Sequence, residues 1–210
     1  MAESINTEST MIKLYHAPRT RSIRIVWLLE ELGVPYELAT VAFNPPRHSF
    51  EQNTPMGKFP VIEDGSLVMC ESGAILEYLI EKYGNGRLAP VIGSPGRGPY
   101  LQWVHFAEAT AIPPLGDMTR HTLLLPEAAR IPAVAEDGRA RAINVINVLE
   151  RTLVGKQYLV GDEFSGADIM MGYSLMAARM LGVAGAAHPN AGEYWERLAT
   201  RAGLQKALSV

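Results

Sequence analysis

The chain has 210 residues, 48% of them apolar and 20% charged, with a net charge of −3. No apolar run approaches the ~18 residues a membrane span requires, and the charge offers phosphate backbones no general attraction, so neither membrane nor nucleic acid is expected as a partner. One cysteine, Cys70, excludes an intramolecular disulfide and a CxxC redox pair, and five scattered histidines give no zinc spacing.

In chain order, MAESINTEST is polar, with neither the basic start nor the apolar stretch of a secretion signal, and reads as a frayed extension of a cytoplasmic protein. MIKLYHA reads as a strand, followed by a helix in which Ile23, Val26, Trp27 and Leu29 recur at helical spacing. Gly33 suits its C-cap and Pro35 blocks continuation. PYELATVAF reads as a second strand and NPPRHSFEQNTP as a proline-punctuated connection with at most a short helix. In GKFPVIEDGSLVMCES two short apolar runs flank Asp64-Gly65, which predicts a hairpin with a type I′ turn. A helix should run from Ser72 to about Tyr83. The order β-α-β-(α)-β-β-α predicts an α/β unit whose first two strands are parallel and whose hairpin adds antiparallel strands.

GNGRLAPVIGSPGRG reads as an interdomain linker, so the first domain is expected over 11–84, the linker over 85–97 and a second domain over 98–210. The second domain reads as all helix. YLQWVHFAEATAIPPL should break or kink at Pro113-Pro114. A helix is expected from Pro132 to Leu153, weakened locally by Gly138. Ser165, three residues before Asp168, resembles a capping box ahead of an apolar run, and EYWERLATRAGLQKAL is a last amphipathic segment. His105 and Glu108, three apart on one helical face, are too few to hold a metal; the alternative is that they line the cleft between the domains. Met118, Met170, Met171, Met176 and Met180 are either core or an adaptable apolar pocket.

Gly57-Lys58-Phe59-Pro60-Val61, Glu71-Ser72-Gly73-Ala74-Ile75, and Tyr158-Leu159-Val160-Gly161 through Ala167-Asp168 resemble, in order and spacing, three signatures of the soluble glutathione transferases. LYHAPRTRSIRIVWLLEELGVPYE further resembles a bacterial and fungal, serine-type branch of that family. The resemblance, from about Met11 to the end, implies a thioredoxin-like domain followed by an all-helical domain, a cytoplasmic homodimer, glutathione as co-substrate with no other cofactor and no metal, and a cis Phe59-Pro60 bond whose main chain pairs with the tripeptide. It places glutathione on Lys58, Phe59, Pro60, Glu71 and Ser72. Physically, Ser72 stands where a helix N-cap belongs, and free N–H groups there suit a carboxylate. Glu71 can take the ammonium of an α-amino acid head; alternatively the pair only caps the helix and favours its dipole.

A thiol of pKa ~8.5 is only about 3% thiolate at pH 7. Lowering that value by about two units needs ~2.7 kcal/mol, and one hydrogen bond to a charged group, worth ~1.5 to 3 kcal/mol, nearly suffices. The donor should sit between the first strand and its helix. Alignment on Arg24 puts Thr20 where related sequences carry the activating serine, with Ser22 second and Tyr15 third; the alternative is that Thr20 or Ser22 simply caps the helix. Arg19, Arg21 and Arg24 either steer an anionic tripeptide, donate to its sulfur, or are solvated. The expected activity is transfer of glutathione to a small hydrophobic electrophile. Rival readings are a non-catalytic glutathione-binding scaffold and a glutathione-dependent peroxidase, isomerase or dehalogenase. A glutaredoxin-like reductase lacks its cysteine at Arg19-Thr20-Arg21.

Overall fold

The structure is a computed structural model that describes residues 11–41 and 57–210. The expected N-terminal extension and most of the proline-rich connection after the second strand lie outside the described residues.

Strands β1 (Ile12–His16), β2 (Tyr36–Thr40), β3 (Val61–Asp64) and β4 (Leu67–Cys70) form a sheet of order β2-β1-β3-β4 among the described residues. β1 and β2 are parallel, with Leu14 opposite Leu38, and β3 is antiparallel to both β1 and β4. Alternation along β1 buries Ile12, Leu14 and His16 on one face and turns Lys13 and Tyr15 to the other.

Helix α1 (Ser22–Leu32) joins the parallel strands and is buried at every position from Ser22 to Leu29, a wider face than its apolar spacing predicts. It lies between the sheet and the helical half of the molecule, and its first solvent-exposed position is Glu30. Gly33 ends it in the left-handed conformation, φ 69°, as expected.

The hairpin differs by one residue from its predicted form. Asp64 ends β3, opposite Leu67, and the turn is Gly65-Ser66 with positive φ only at Gly65, as a type II′ turn requires. Asp64 is drawn inward because its Oδ2 accepts from the Tyr78 and Tyr83 hydroxyls and Lys82 Nζ of helix α2 (Ser72–Tyr83), at 2.8, 2.8 and 2.7 Å. Burial pushes the Asp64 carboxyl up, but those donors outweigh it and hold it below the usual carboxylate range.

The stretch 84–96 forms turns without helix or strand, and α3 (Arg97–Phe106) follows. Pro113-Pro114 neither break nor sharply end the helical path. The chain widens into π-helical turns over Ala107–Ala111 and resumes as α4 (Ile112–Thr119) with both prolines near its start, where missing N–H groups cost little. Helix α5 (Pro132–Thr152) matches its expected span to one residue. Gly138, expected to weaken it, is a packing requirement: a Cβ there would meet the Pro114 carbonyl oxygen at 2.8 Å.

Helix α6 (Gly166–Met180) begins with the expected capping box, and Asp168 also accepts from the Leu159 N–H and the Tyr194 hydroxyl. The last segment is two helices, α7 (Pro189–Ala199) and α8 (Ala202–Leu208), separated at Thr200-Arg201. Arg201 there clasps Glu31 of α1 with two 2.7 Å hydrogen bonds. One continuous buried cluster runs from Leu14 and Ile62 through Trp27 to Met171, Leu175 and Leu198, so the two halves share a core. No helix among the described residues is long and apolar enough to cross a membrane.

Candidate active site

The junction between β1 and α1 carries a chain of polar side chains. Thr20 Oγ1 donates to the Ala17 carbonyl at 2.7 Å and lies 2.7 Å from Ser22 Oγ, which lies 2.9 Å from His16 Nδ1. Ser22 and His16 are fully buried, whereas Thr20 is partly exposed. Arg21 occupies the N-cap position of α1, and the Ser22 amide that opens the helix donates to Thr20 Oγ1 at 3.4 Å. The two side-chain hydroxyls are committed to one another. Arg19 at the tip of this loop has φ 64°, a conformation that costs a non-glycine residue ~1 to 3 kcal/mol and needs surrounding support. Tyr173 of α6 supplies part of it by donating its hydroxyl to the Arg19 carbonyl at 3.3 Å.

Tyr15 is not part of this group. It projects from the opposite sheet face and its hydroxyl donates to Glu63 at 2.6 Å.

The second element of the site is the hairpin and the start of α2. Phe59-Pro60 is cis, Pro60 is buried, Phe59 half-buried and Lys58 exposed. Ser72 is not the N-cap it was expected to be. Glu71 occupies that position with φ 71° and ψ 107°, Ser72 is the first helical residue, and no side chain among the described residues caps the helix. The opening amides of α2 therefore have no intrahelical acceptor, and Glu71 is exposed beside them. Such an end binds a carboxylate through N–H groups and dipole, with Glu71 placed to take an ammonium.

Arg24 ties the two elements together. Expected as steering or solvated, it is completely buried, donating from Nη1 to Ser72 Oγ at 3.0 Å and to Glu108, and from Nη2 to Ser174 Oγ at 3.0 Å. Because the guanidinium donates to Ser72 Oγ, the Ser72 proton is free to point at a ligand. Burial pulls the Arg24 pKa down, and Glu108 acts in the opposite direction. Its guanidinium stacks 4.8 Å from the centre of the Tyr173 ring. Glu108 sits on the π-helical turns and also pairs with the partly exposed Arg21 at 2.7 Å, while its sequence neighbour His105 is exposed and takes no part.

Residues the sequence did not single out are His16, Tyr173 and Ser174, which meet the site from β1 and from a helix some 150 residues along the chain. The one signal available was Arg24 itself, a charge set among Ile23, Ile25 and Val26 in an apolar run. The methionines divide differently from a pocket: Met118, Met170 and Met171 are core, and Met180 is 68% exposed at the end of α6. Cys70 is a free, half-buried thiol at the end of β4. Among the described residues, no group of three or more His, Cys, Asp or Glu side chains could hold a metal ion.

Fold and site define a two-part protein: a thioredoxin-like half that presents a strand edge and an uncapped helix end, closed by an all-helical half. Residues 10–81 match the N-terminal domain of glutathione S-transferase and residues 118–202 its C-terminal domain. Glutathione S-transferase 3 of Schizosaccharomyces pombe is 31% identical over 186 residues, which is 80% of this chain and 75% of that protein. Glutathione S-transferase F10 of Arabidopsis thaliana is 30% identical over 213 residues, covering 93% and 96%. Ure2p5 from Phanerochaete chrysosporium, cocrystallized with 1-(S-glutathionyl)-2,4-dinitrobenzene, matches with a TM-score of 0.82 at 27% identity over 95% of this chain and 93% of that one. The chain belongs to the glutathione S-transferase family.

Proposed function

We propose that this chain is a glutathione transferase in which the Thr20 hydroxyl donates a hydrogen bond to the sulfur of bound glutathione, holding it as thiolate for attack on a small hydrophobic electrophile. Glutathione lies with its cysteinyl main chain along Phe59-Pro60, next to Lys58, and its γ-glutamyl head at Glu71 and Ser72. The observation that carries the assignment is exposure: of the hydroxyls at the β1–α1 junction, Thr20 is partly open and Ser22 is sealed behind it, while Tyr15 is engaged across the sheet by Glu63. Neither Thr20 nor Ser22 holds the N-cap position of α1, and the one bond Thr20 takes from the start of the helix, from the Ser22 amide, is long at 3.4 Å. The relative cocrystallized with a glutathionyl-dinitrobenzene conjugate supports conjugation chemistry. A serine-type branch with threonine at the activating position, a cytoplasmic location and a homodimer belong to the same proposal. The apolar Leu67 and Val68, 39% and 50% exposed on edge strand β4, favour burial against a second copy.

A second reading, a glutathione-binding scaffold without turnover, rests on the Thr20 proton, which points at the Ala17 carbonyl rather than outward. Titration of bound glutathione by thiolate ultraviolet absorbance separates the two. In the transferase the bound thiol pKa lies one to two units below ~8.5, and Thr20→Ala returns it most of the way, as one hydrogen bond to a charged group of ~1.5 to 3 kcal/mol requires. A bound pKa no lower than that of free glutathione would establish the scaffold instead.

A further inference from the structure

Three arginines stand at the β1–α1 junction, and only one of them has both a fixed position and unspent donors. Arg24 is completely buried, with Nη1 and Nη2 given to Ser72, Glu108 and Ser174. Arg19 is exposed, and its recorded bond is made by its carbonyl rather than its side chain. Arg21, next in the chain to Thr20, reaches across to the π-helical turns, where its Nε lies 2.7 Å from Glu108 Oε1. That Nε is buried, so the exposed 40% of the side chain falls on its stem and its two Nη groups. Among the described residues those Nη groups meet no acceptor.

The charges around Arg21 do not balance. Glu108 divides its carboxylate, Oε2 to Arg24 and Oε1 to Arg21. Two guanidiniums that keep their protons at any working pH therefore share one negative charge, which leaves one positive charge in excess. From α6 the neighbouring group is Tyr173, which burial keeps in its neutral form. The other acid of the site, Glu71 at the start of α2, is assigned to the ammonium of glutathione. The γ-glutamyl carboxylate is assigned to the same helix end, where Ser72 takes its support from Arg24. Neither assignment uses Arg21. An acceptor attacked by a sulfur at Thr20 and lodged against the helical half lies in the gap that Arg21 spans.

We propose that Arg21 selects the electrophile: its free Nη groups take a carboxylate carried by the acceptor, so that the preferred substrates are aromatic or apolar electrophiles bearing one negative charge. This rests on the reading that seats the glutathione sulfur at Thr20. The planar fork of a guanidinium suits a carboxylate in geometry as well as charge. Glu108 sets the strength of the preference, because it competes with the acceptor for the same cation.

The test gives the full chain 4-chloro-3-nitrobenzoate and its uncharged isostere 4-chloro-3-nitrobenzamide. In both, sulfur bonds to the ring carbon that carries chlorine, the C–Cl bond breaks, chloride leaves with the electron pair, and the thiol proton goes to solvent. Each kcat/KM is divided by the uncatalysed rate constant with glutathione, which removes intrinsic reactivity. The expected result favours the benzoate by about three- to tenfold, between what an exposed ion pair and a buried charged hydrogen bond supply. Arg21→Met should bring the ratio to about one. Glu108→Gln keeps an acceptor for both arginines and deletes the competing charge, so it should raise the ratio about two- to threefold. Thr20→Ala should slow both substrates alike and leave the ratio unchanged. A wild-type ratio of one or less, or a ratio that Arg21→Met does not move, overturns the proposal, and the Thr20 reading stands if Thr20→Ala still slows both. A raised KM for glutathione in Arg21→Met at constant ratio likewise overturns it and assigns Arg21 to the tripeptide. If Thr20→Ala slows neither substrate while the ratio follows Arg21, Thr20 is not the donor and the selection survives. Should neither substrate turn over, the Kd values of S-(4-carboxy-2-nitrophenyl)glutathione and its carboxamide, by calorimetry, give the ratio with the same expected changes. Arg21→Met decides by itself if Glu108→Gln does not fold.

Discussion

The stretch 57–72 and the loop 17–22 do different work, and they are held in different ways. The first is nearly self-sufficient: its strands pair with each other and with β1, and Asp64 clamps the hairpin to α2 through neighbours close in sequence. The loop has no such local support. Thr20 sits in a strained turn steadied by Tyr173, backed by His16, and followed within one turn of helix by Arg24, whose partners come from α2, the π-helical turns and α6. On the proposed assignment, binding is built from adjacent sequence, whereas activation depends on the packing of one half of the molecule against the other. Damage to the interdomain contacts should therefore reach the loop, while damage to the hairpin or the start of α2 should reach only affinity.

The largest effect is expected at Arg24. Replacing it with methionine leaves Ser72 and Ser174 without their donor and Glu108 with Arg21 alone, a loss of ~3 to 5 kcal/mol for up to three hydrogen bonds to a charged group at ~1.5 kcal/mol each. For a chain of this size that lowers the melting temperature by roughly 6 to 20 °C. The same change at Arg21, which pairs with the same carboxylate but whose side chain is 40% exposed, should cost less than ~1 kcal/mol. Thermal unfolding followed by circular dichroism checks both. Equal losses would mean that burial is not what gives Arg24 its weight, and the proposed dependence of the loop on the domain contact would fail.

Next in size is Ser72→Ala. It removes the hydroxyl proposed to meet the γ-glutamyl carboxylate, and a hydrogen bond to a charged group of ~1.5 to 3 kcal/mol predicts a tenfold to hundredfold weaker Kd for glutathione by calorimetry. The bound-thiol pKa should stay at its wild-type value once the variant is saturated. A shifted thiol pKa with unchanged affinity would reverse the assignment of the two regions.

These two regions were also unequally legible in the sequence. The hairpin, the start of α2 and their ligand-binding pattern are written in contiguous residues, so spacing and turn chemistry reach them, with errors of a single residue: the turn falls at Gly65-Ser66 rather than Asp64-Gly65, and Glu71 rather than Ser72 holds the cap position. The spans of α1, α2 and α5 follow from periodicity, and the parallel pairing of β1 with β2 follows from the helix that joins them. The burial of Arg24 does not, because its partners lie 48, 84 and 150 residues away and a charged side chain on a helix is ordinarily solvated. Gly138 was misjudged for the same reason: intrinsic propensity counts against it, and only the Pro114 carbonyl pressing on α5 explains why nothing larger fits. Pro113-Pro114 were read as a break or a kink; the π-helical widening just before them leaves no mark in a pattern of apolar spacing.

The smallest effect expected is also the most discriminating for the comparison. Tyr173 reaches the loop through one long hydrogen bond to the Arg19 carbonyl, 3.3 Å, and its ring lies against the Arg24 guanidinium. Tyr173→Phe keeps the ring and deletes only the hydroxyl, so the stacking and the core should stand and the melting temperature should barely move. What is lost is one restraint on a loop held at a positive φ, worth ~0.5 to 1 kcal/mol. Expressed in the transition state for thiol attack, that is a two- to fivefold lower kcat with a fast-reacting aryl halide. KM for glutathione should not follow, because no ligand contact of the hairpin or of α2 has changed. A raised KM at constant kcat would place Tyr173 in glutathione binding rather than in support of the loop. An unaltered kcat and KM would show that Arg19 holds its conformation without help from α6, and that the activating loop is as locally determined as the hairpin.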